Sequence, residues 1–124
     1  MAKKRVLIID DEEGFTQLVK MNLEATGKYE VRTENKGSLG FVAAKQFKPD
    51  LIFLDLIMPD MGGGEVSYQL KSDEDTKTIP IVLITAFMAK DEAVALSGII
   101  RGHQVIAKPV ETEELIDVIE KNIS

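Results

Sequence analysis

Four apolar runs in this chain are each followed by side chains that can do chemistry. Val6-Leu7-Ile8-Ile9 leads into Asp10-Asp11, Leu51-Ile52-Phe53-Leu54 into Asp55, Ile79 to Ile84 into Thr85, and Val105-Ile106-Ala107 into Lys108. A single Asp after an apolar run is ordinarily a turn or a helix cap. Here the joint pattern carries the information, because every group suits one reaction. Carboxylates from two runs supply hard oxygen ligands to Mg²⁺. Crowded carboxylates also resist simultaneous ionisation unless a cation sits among them. One carboxylate kept as nucleophile can attack a phosphoryl group and form an aspartyl phosphate. The metal and a lysine then offset charge on the equatorial oxygens, and a hydroxyl donates a hydrogen bond to one of them. Asp55 follows the central run and is the natural nucleophile, flanked by Thr85 and Lys108.

These groups meet only if the runs lie side by side. Each run has strand length and lacks polar/apolar alternation, as strands covered on both faces do in a parallel sheet. A fifth run, Tyr29 to Thr33, alternates with charged residues and reads as an edge strand. Helical spacing separates the runs. Phe15, Leu18, Val19 and Leu23 precede a stop at Gly27, and Leu39, Ala43 and Phe47 precede Pro49. Val66 and Leu70 mark a short third helix, Ala93, Val94 and Leu96 a weak fourth, and Leu115, Ile116, Ile119 and Ile123 the last. Strict β-α alternation predicts an α/β fold, a doubly wound sheet with right-handed crossovers. Ligands in such sheets bind beyond the carboxyl ends of the strands, where all these polar groups fall.

Composition narrows the alternatives. At 124 residues and 44% hydrophobic, the chain is one domain with a core that needs no staple. The absence of cysteine removes disulfides, thiol catalysis and cysteine-based zinc sites, and one histidine removes a His-rich metal centre. A net charge of −6 with no basic cluster beyond Lys3-Lys4-Arg5 argues against direct nucleic-acid binding. Ile79 to Ala89 is far short of the roughly 20 apolar residues of a membrane span, so no membrane role is expected and the cytoplasm is the default location. No linker or repeat appears, so residues 1–124 are expected to form a single domain with no output domain.

At this point the sequence resembles the receiver domain of two-component response regulators. The matching pieces are Ile9-Asp10-Asp11-Glu12, Leu54-Asp55-Leu56-Ile57-Met58-Pro59, Thr85-Ala86 and Lys108-Pro109, in that order over essentially the whole chain. The resemblance implies a flavodoxin-like (βα)5 fold of five parallel strands in the order 2-1-3-4-5. It implies that Asp55 accepts a phosphoryl group from a phosphohistidine on a sensor histidine kinase or histidine phosphotransfer protein. Asp11, Asp55 and the backbone carbonyl of Ile57 would bind Mg²⁺ directly, with Asp10 acting mostly through metal-bound water. Thr85 and Lys108 would contact the phosphoryl oxygens, Ala86 would leave room for a backbone N–H, and the Lys108-Pro109 bond would be cis. Such a domain is no enzyme in the ordinary sense, since it catalyses only its own phosphorylation and dephosphorylation. Phosphorylation would shift the face built from the fourth helix, fifth strand and last helix toward an effector that the sequence does not name.

Several positions depart from the family pattern. Val105 stands where the family has Tyr or Phe, a ring that turns inward as the threonine moves; Phe87 is the candidate substitute aromatic. Ile57 and Phe87 occupy the positions that tune water access, and neither orients water, so slow dephosphorylation is expected. Gly62-Gly63-Gly64 replaces a more usual Asp-Gly-Leu-like helix start; without the Lys-Ser/Thr of a P-loop it reads as a mobile, weakly capped start. His103 reads as a solvated loop residue, and Glu111, Glu113 and Glu114 as first-turn residues of the last helix that complement its dipole. The competing readings are a binding or adaptor module of the same fold that signals without phosphorylation, to which Val105 gives weight, and an aspartyl-phosphate phosphatase. The phosphatase signature needs aspartates two apart after the first strand, whereas Glu12 stands two after Asp10.

Overall fold

The computed structural model describes residues 2–86 and 103–123. Five strands, β1 (Lys4–Ile9), β2 (Tyr29–Glu34), β3 (Leu51–Asp55), β4 (Ile81–Thr85) and β5 (Gln104–Ala107), form one parallel sheet in the order β2-β1-β3-β4-β5. Among the described residues the helices are α1 (Glu13–Ala25), α2 (Gly40–Phe47), α3 (Gly63–Lys71) and α4 (Thr112–Asn122), with a 3-10 turn at Gly37–Leu39 ahead of α2. The helix expected around Ala93, Val94 and Leu96, and Phe87 with it, lie outside the described residues. No helix among the described residues is long and apolar enough to cross a membrane.

The unbroken apolar character of the strands follows from burial on both sides. Leu7, Ile9, Ile52, Leu54, Leu83 and Val105 pack on one face against Ala43, Ala44, Val66 and Leu70 of α2 and α3. Their strand neighbours Val6, Ile8, Leu51, Phe53, Val82 and Ile84 pack on the other against α1 and α4 through Val19, Leu23, Leu115 and Ile119. Successive strand residues point to opposite faces, so a sheet sandwiched between helices needs apolar residues at every position. β2 is an edge strand, and the Glu24 carboxylate of α1 accepts a hydrogen bond from the Val31 N–H at 3.0 Å.

Helix faces differ in detail from the spacing. Leu18 is 53% exposed, while Thr16 is fully buried with Val19 and Leu23. The buried stripe of α1 is narrow, and the packing against β2 decides which flank it takes. Leu39 lies in the 3-10 turn and is exposed; α2 begins at Gly40, where a side chain would meet Ile9 Cδ1 at 2.7 Å. Glu111 is the N-cap of α4, so only Glu113 and Glu114 stand in its first turn. The Glu111 N–H donates to the Glu114 carboxylate at 3.4 Å.

Register places the chemistry at one edge. Ile9 is level with Leu54, Asp55 with Ile84, and Thr85 with Ala107. Asp10 and Lys108, each one residue further on, therefore reach the same carboxyl edge as Asp55 and Thr85.

Candidate functional site

Asp10, Asp11 and Asp55 each offer a carboxylate oxygen, and the three oxygens lie within 4.8 Å of one another. Asp10 is fully buried, Asp55 is nearly so, and Asp11 is exposed. The turn that aims them is braced locally. Asp10 Oδ1 accepts a hydrogen bond from the Glu12 N–H at 2.9 Å, and Asp55 Oδ1 accepts one from the Ile57 N–H at 3.3 Å. Asn35, just past β2, donates from Nδ2 to the Asp10 carbonyl at 2.8 Å and to Thr16 Oγ1 at 3.0 Å.

Lys108 points back into the cluster. Its Nζ lies 2.7 Å from Asp10 Oδ2, pairs also with Glu12, and sits 4.4 Å from the centre of the Phe15 ring. Among the described residues the partner of the buried Asp10 Oδ2 is this ammonium. Lys108 also donates its backbone N–H to the Thr85 carbonyl at 2.8 Å, and its bond to Pro109 is cis. Burial lowers the affinity of this ammonium for its proton, but the carboxylates of Asp10 and Glu12 outweigh it and leave the pKa above the ordinary lysine value.

The electrostatics centre on Asp55. Burial, then the negative charge of Asp10 and a hydrogen bond with Asp11, push its carboxyl up from 3.8 to about 7, against the Ile57 N–H and Lys108, which pull it down. A buried acid crowded by two others calls for a cation. Three carboxylate donors within 4.8 Å of one another and an open flank at Asp11 fit a hard divalent ion that keeps several waters.

The other sequence-predicted residues fall around this centre. Thr85 is fully buried at the end of β4, and Ala86 beside it is exposed. The Ile57 side chain is half exposed. Val105 is buried in the core beneath the site.

Two sequence readings need correction. The Gly62-Gly63-Gly64 start of α3 is not uniformly loose. At Gly63 a Cβ would stand 2.5 Å from the Asp55 carbonyl oxygen and 2.9 Å from Leu56 Cα, so the helix presses its backbone on the strand that carries Asp55. Gly64, by contrast, has nothing within 4 Å. His103 is not a solvated loop residue. It is buried, and its Nε2 lies 3.0 Å from Ser67 Oγ of α3. Nothing near His103 in sequence announces a partner 36 residues away. The sequence pattern leaves out Asn35 and marks Phe15 only as a core position of the first helix, although an Asn directly after an edge strand and an aromatic five residues after Asp10 are visible cues.

Comparison with known proteins agrees with this geometry. A family model described as "Response regulator receiver domain" matches residues 6–120. The polar-differentiation response regulator DivK of Brucella anthropi is 34% identical over 118 residues, covering 94% of this chain and 93% of DivK. The DNA-binding dual master transcriptional regulator RpaA of Synechocystis sp. is 37% identical over 113 residues; the match covers 90% of this chain but only 46% of RpaA. Among solved structures, the Vibrio cholerae chemotaxis protein CheY4 aligns with a TM-score of 0.82 at 26% identity, covering 97% of this chain and 98% of that one. A CheY-like receiver domain protein of Methanospirillum hungatei gives 0.80 at 25% identity over 98% and 94% of the two chains.

Proposed function

Because the chain belongs to the response regulator receiver domain family, whose role is that of a phosphoacceptor switch in two-component signalling, we propose that Asp55 is its phosphoacceptor. The observation that carries this reading is the convergence of Asp10, Asp11 and Asp55 with the inward-pointing Lys108 at the carboxyl edge of the sheet. Asp55 Oδ attacks phosphorus, the P–N bond of a donor phosphohistidine breaks, and the departing imidazole takes up a proton. Asp10, Asp11, Asp55 and the Ile57 carbonyl would hold Mg²⁺. Bound Mg²⁺ supplies positive charge to the phosphoryl oxygens. Lys108 exchanges its carboxylate partners for a phosphoryl oxygen, and the Thr85 hydroxyl donates to another. Ala86, with no side chain beyond Cβ, lets a backbone N–H approach. Ile57 offers attacking water no orienting hydrogen bond, so the aspartyl phosphate is long-lived.

The partners are a sensor histidine kinase or a histidine phosphotransfer protein and a downstream effector. The name of RpaA includes DNA binding, but this chain spans 46% of that protein. A net charge of −6 favours protein partners for the residues in hand. Residues 1–124 act as one receiver domain.

Labelling with a small phosphodonor such as acetyl phosphate tests the assignment. One phosphoryl group per chain is expected, dependent on Mg²⁺, absent in Asp55→Asn, and lost over many minutes rather than seconds. Undiminished labelling of Asp55→Asn would overturn the assignment. No labelling of the native chain under any donor would return the reading to a phosphorylation-independent adaptor, which the valine at 105 favours.

A further inference from the structure

The loop between β3 and α3 must bring the Ile57 carbonyl to the acidic cluster, so whatever holds this loop sets the site. Its ends are fixed by main-chain bonds: Leu56 N–H to the Ile84 carbonyl at 2.8 Å, and Gly63 N–H to the Leu56 carbonyl at 2.9 Å. Between these anchors the side chain of Asp60 reaches across to the loop after β2. It accepts hydrogen bonds from the Gly37 N–H at 3.1 Å, the Ser38 N–H at 3.0 Å and the Ser38 hydroxyl at 2.8 Å. The two backbones approach closely at this crossing, since a Cβ on Gly37 would collide with the Met61 carbonyl oxygen. The same β2 loop carries Asn35, whose amide holds the Asp10 carbonyl.

These contacts close a ring. From Asp10 it passes through Asn35 to Gly37 and Ser38, across Asp60 into the β3–α3 loop, and back through Ile57 to Asp55. Asp11, Asn35, Lys36, Ser38, Pro59 and Asp60 line one groove on this side of the site. We propose that Asp60 is a positioning residue for the cation site, a latch between two loops that fixes the Ile57 carbonyl and Asp55 against Asp10 and Asp11. This rests on the cation-binding reading above. Asp60 touches none of the reacting atoms and acts only through the loops it joins. The same three donors hold its carboxyl down at about 2, so the latch stays charged and closed at any working pH.

Groups that orient metal ligands from behind typically change metal affinity by about 10–100-fold when removed. Mg²⁺ binding is therefore measured by calorimetry without phosphodonor, and labelling by acetyl phosphate is measured against Mg²⁺ concentration. Asp60→Ala is expected to raise the dissociation constant for Mg²⁺ about tenfold and leave the labelling rate at saturating Mg²⁺ within about twofold. Asp60→Asn, which keeps an acceptor, falls between. Ser38→Ala removes only the hydroxyl and shifts affinity a few-fold, and it serves if Asp60→Ala does not fold. Thr76→Ala, which deletes a buried hydroxyl bonded to the Leu70 carbonyl, controls for a general loss of stability and leaves the Mg²⁺ affinity unchanged. Native Mg²⁺ affinity in both Asp60→Ala and Ser38→Ala, or an equal loss in Thr76→Ala, overturns the latch. If the native chain itself shows no Mg²⁺ binding, the cation-site reading falls and the latch with it.

Discussion

Asp55 is held at a cost to the fold, and Asp55→Asn measures that cost. In the unfolded chain the Asp55 carboxyl ionises near 3.8, and in the fold near 7. Between those values the folded protein holds a proton that the unfolded chain has released. Stability from this group is therefore complete below about pH 4, falls as pH rises toward 7, and stays low above it. A displacement from 3.8 to about 7 corresponds to at most about 4 kcal/mol at 1.36 kcal/mol per unit. The cluster opens to solvent at the exposed Asp11, and screening there reduces the figure to about 2 kcal/mol.

Asparagine keeps the shape and the Oδ1 that accepts from Ile57 N–H, and it removes the charge. In EDTA at pH 8, Asp55→Asn should be more stable than the native chain by about 2 kcal/mol, or roughly 8 °C at about 4 °C per kcal/mol. The gain should vanish by pH 4. Millimolar Mg²⁺ should narrow it at pH 8, because the ion binds the native trio better and stabilises it by mass action, about 2.7 kcal/mol at one hundred times the dissociation constant. Urea titrations at several pH values, with and without Mg²⁺, give all three quantities. Equal stability of the two chains in EDTA at pH 8, or a gain independent of pH, would refute the electrostatic account.

Three further perturbations probe the surroundings. Lys108→Ala strips the buried Asp10 carboxylate of its cation and should cost about 3 kcal/mol in EDTA, with partial restoration by Mg²⁺ in the same denaturation assay. Gly63→Ala should cost about 2 kcal/mol through overpacking on the Asp55 and Leu56 backbone, whereas Gly64→Ala, with open space around it, should gain about 0.5–1 kcal/mol; calorimetric melts of the pair decide the sign. Ser67→Ala removes the hydroxyl bonded to His103 and should lower stability by about 1 kcal/mol, read from urea midpoints.

What the sequence made legible was whatever a period or a strand end can carry. The strands, their parallel arrangement and the acidic, hydroxyl and ammonium groups at their ends followed from runs such as Val6-Leu7-Ile8-Ile9 and what succeeds each. Side-chain positions set by neighbours remote in sequence did not follow. Leu18, which helical spacing groups with Val19 and Leu23, is exposed, and Thr16 is buried beside them, where its hydroxyl accepts a hydrogen bond from Asn35. His103 is buried because Ser67 on α3 faces it. Gly63 looked like one of three equivalent glycines until the strand backbone stood behind it. Each of these is a contact between separate elements, and no local pattern encodes it.

The same distinction bears on Val105. A switch needs an element with two arrangements whose balance a ligand can tip. Val105 is level with Leu83 and packed in the core with Leu7, Ile9 and Ala107. A β-branched side chain in a filled core has one strongly favoured rotamer and no solvent-exposed alternative. With no ring to swing between two positions, it is not itself the moving part of a switch. Val105→Ala should therefore lower stability by about 2 kcal/mol and leave the change in amide hydrogen exchange that follows Asp55 phosphorylation the same in pattern as in the native chain. A variant that labels normally but shows no such change would place the switch at residue 105 after all. Lys108 rests on Asp10, Glu12 and Phe15, is bonded through its backbone to Thr85, and under the proposed phosphorylation of Asp55 would gain a second set of partners. A phosphoryl group on Asp55 would add negative charge next to that ammonium, and the differential attraction that tips an equilibrium would arise there.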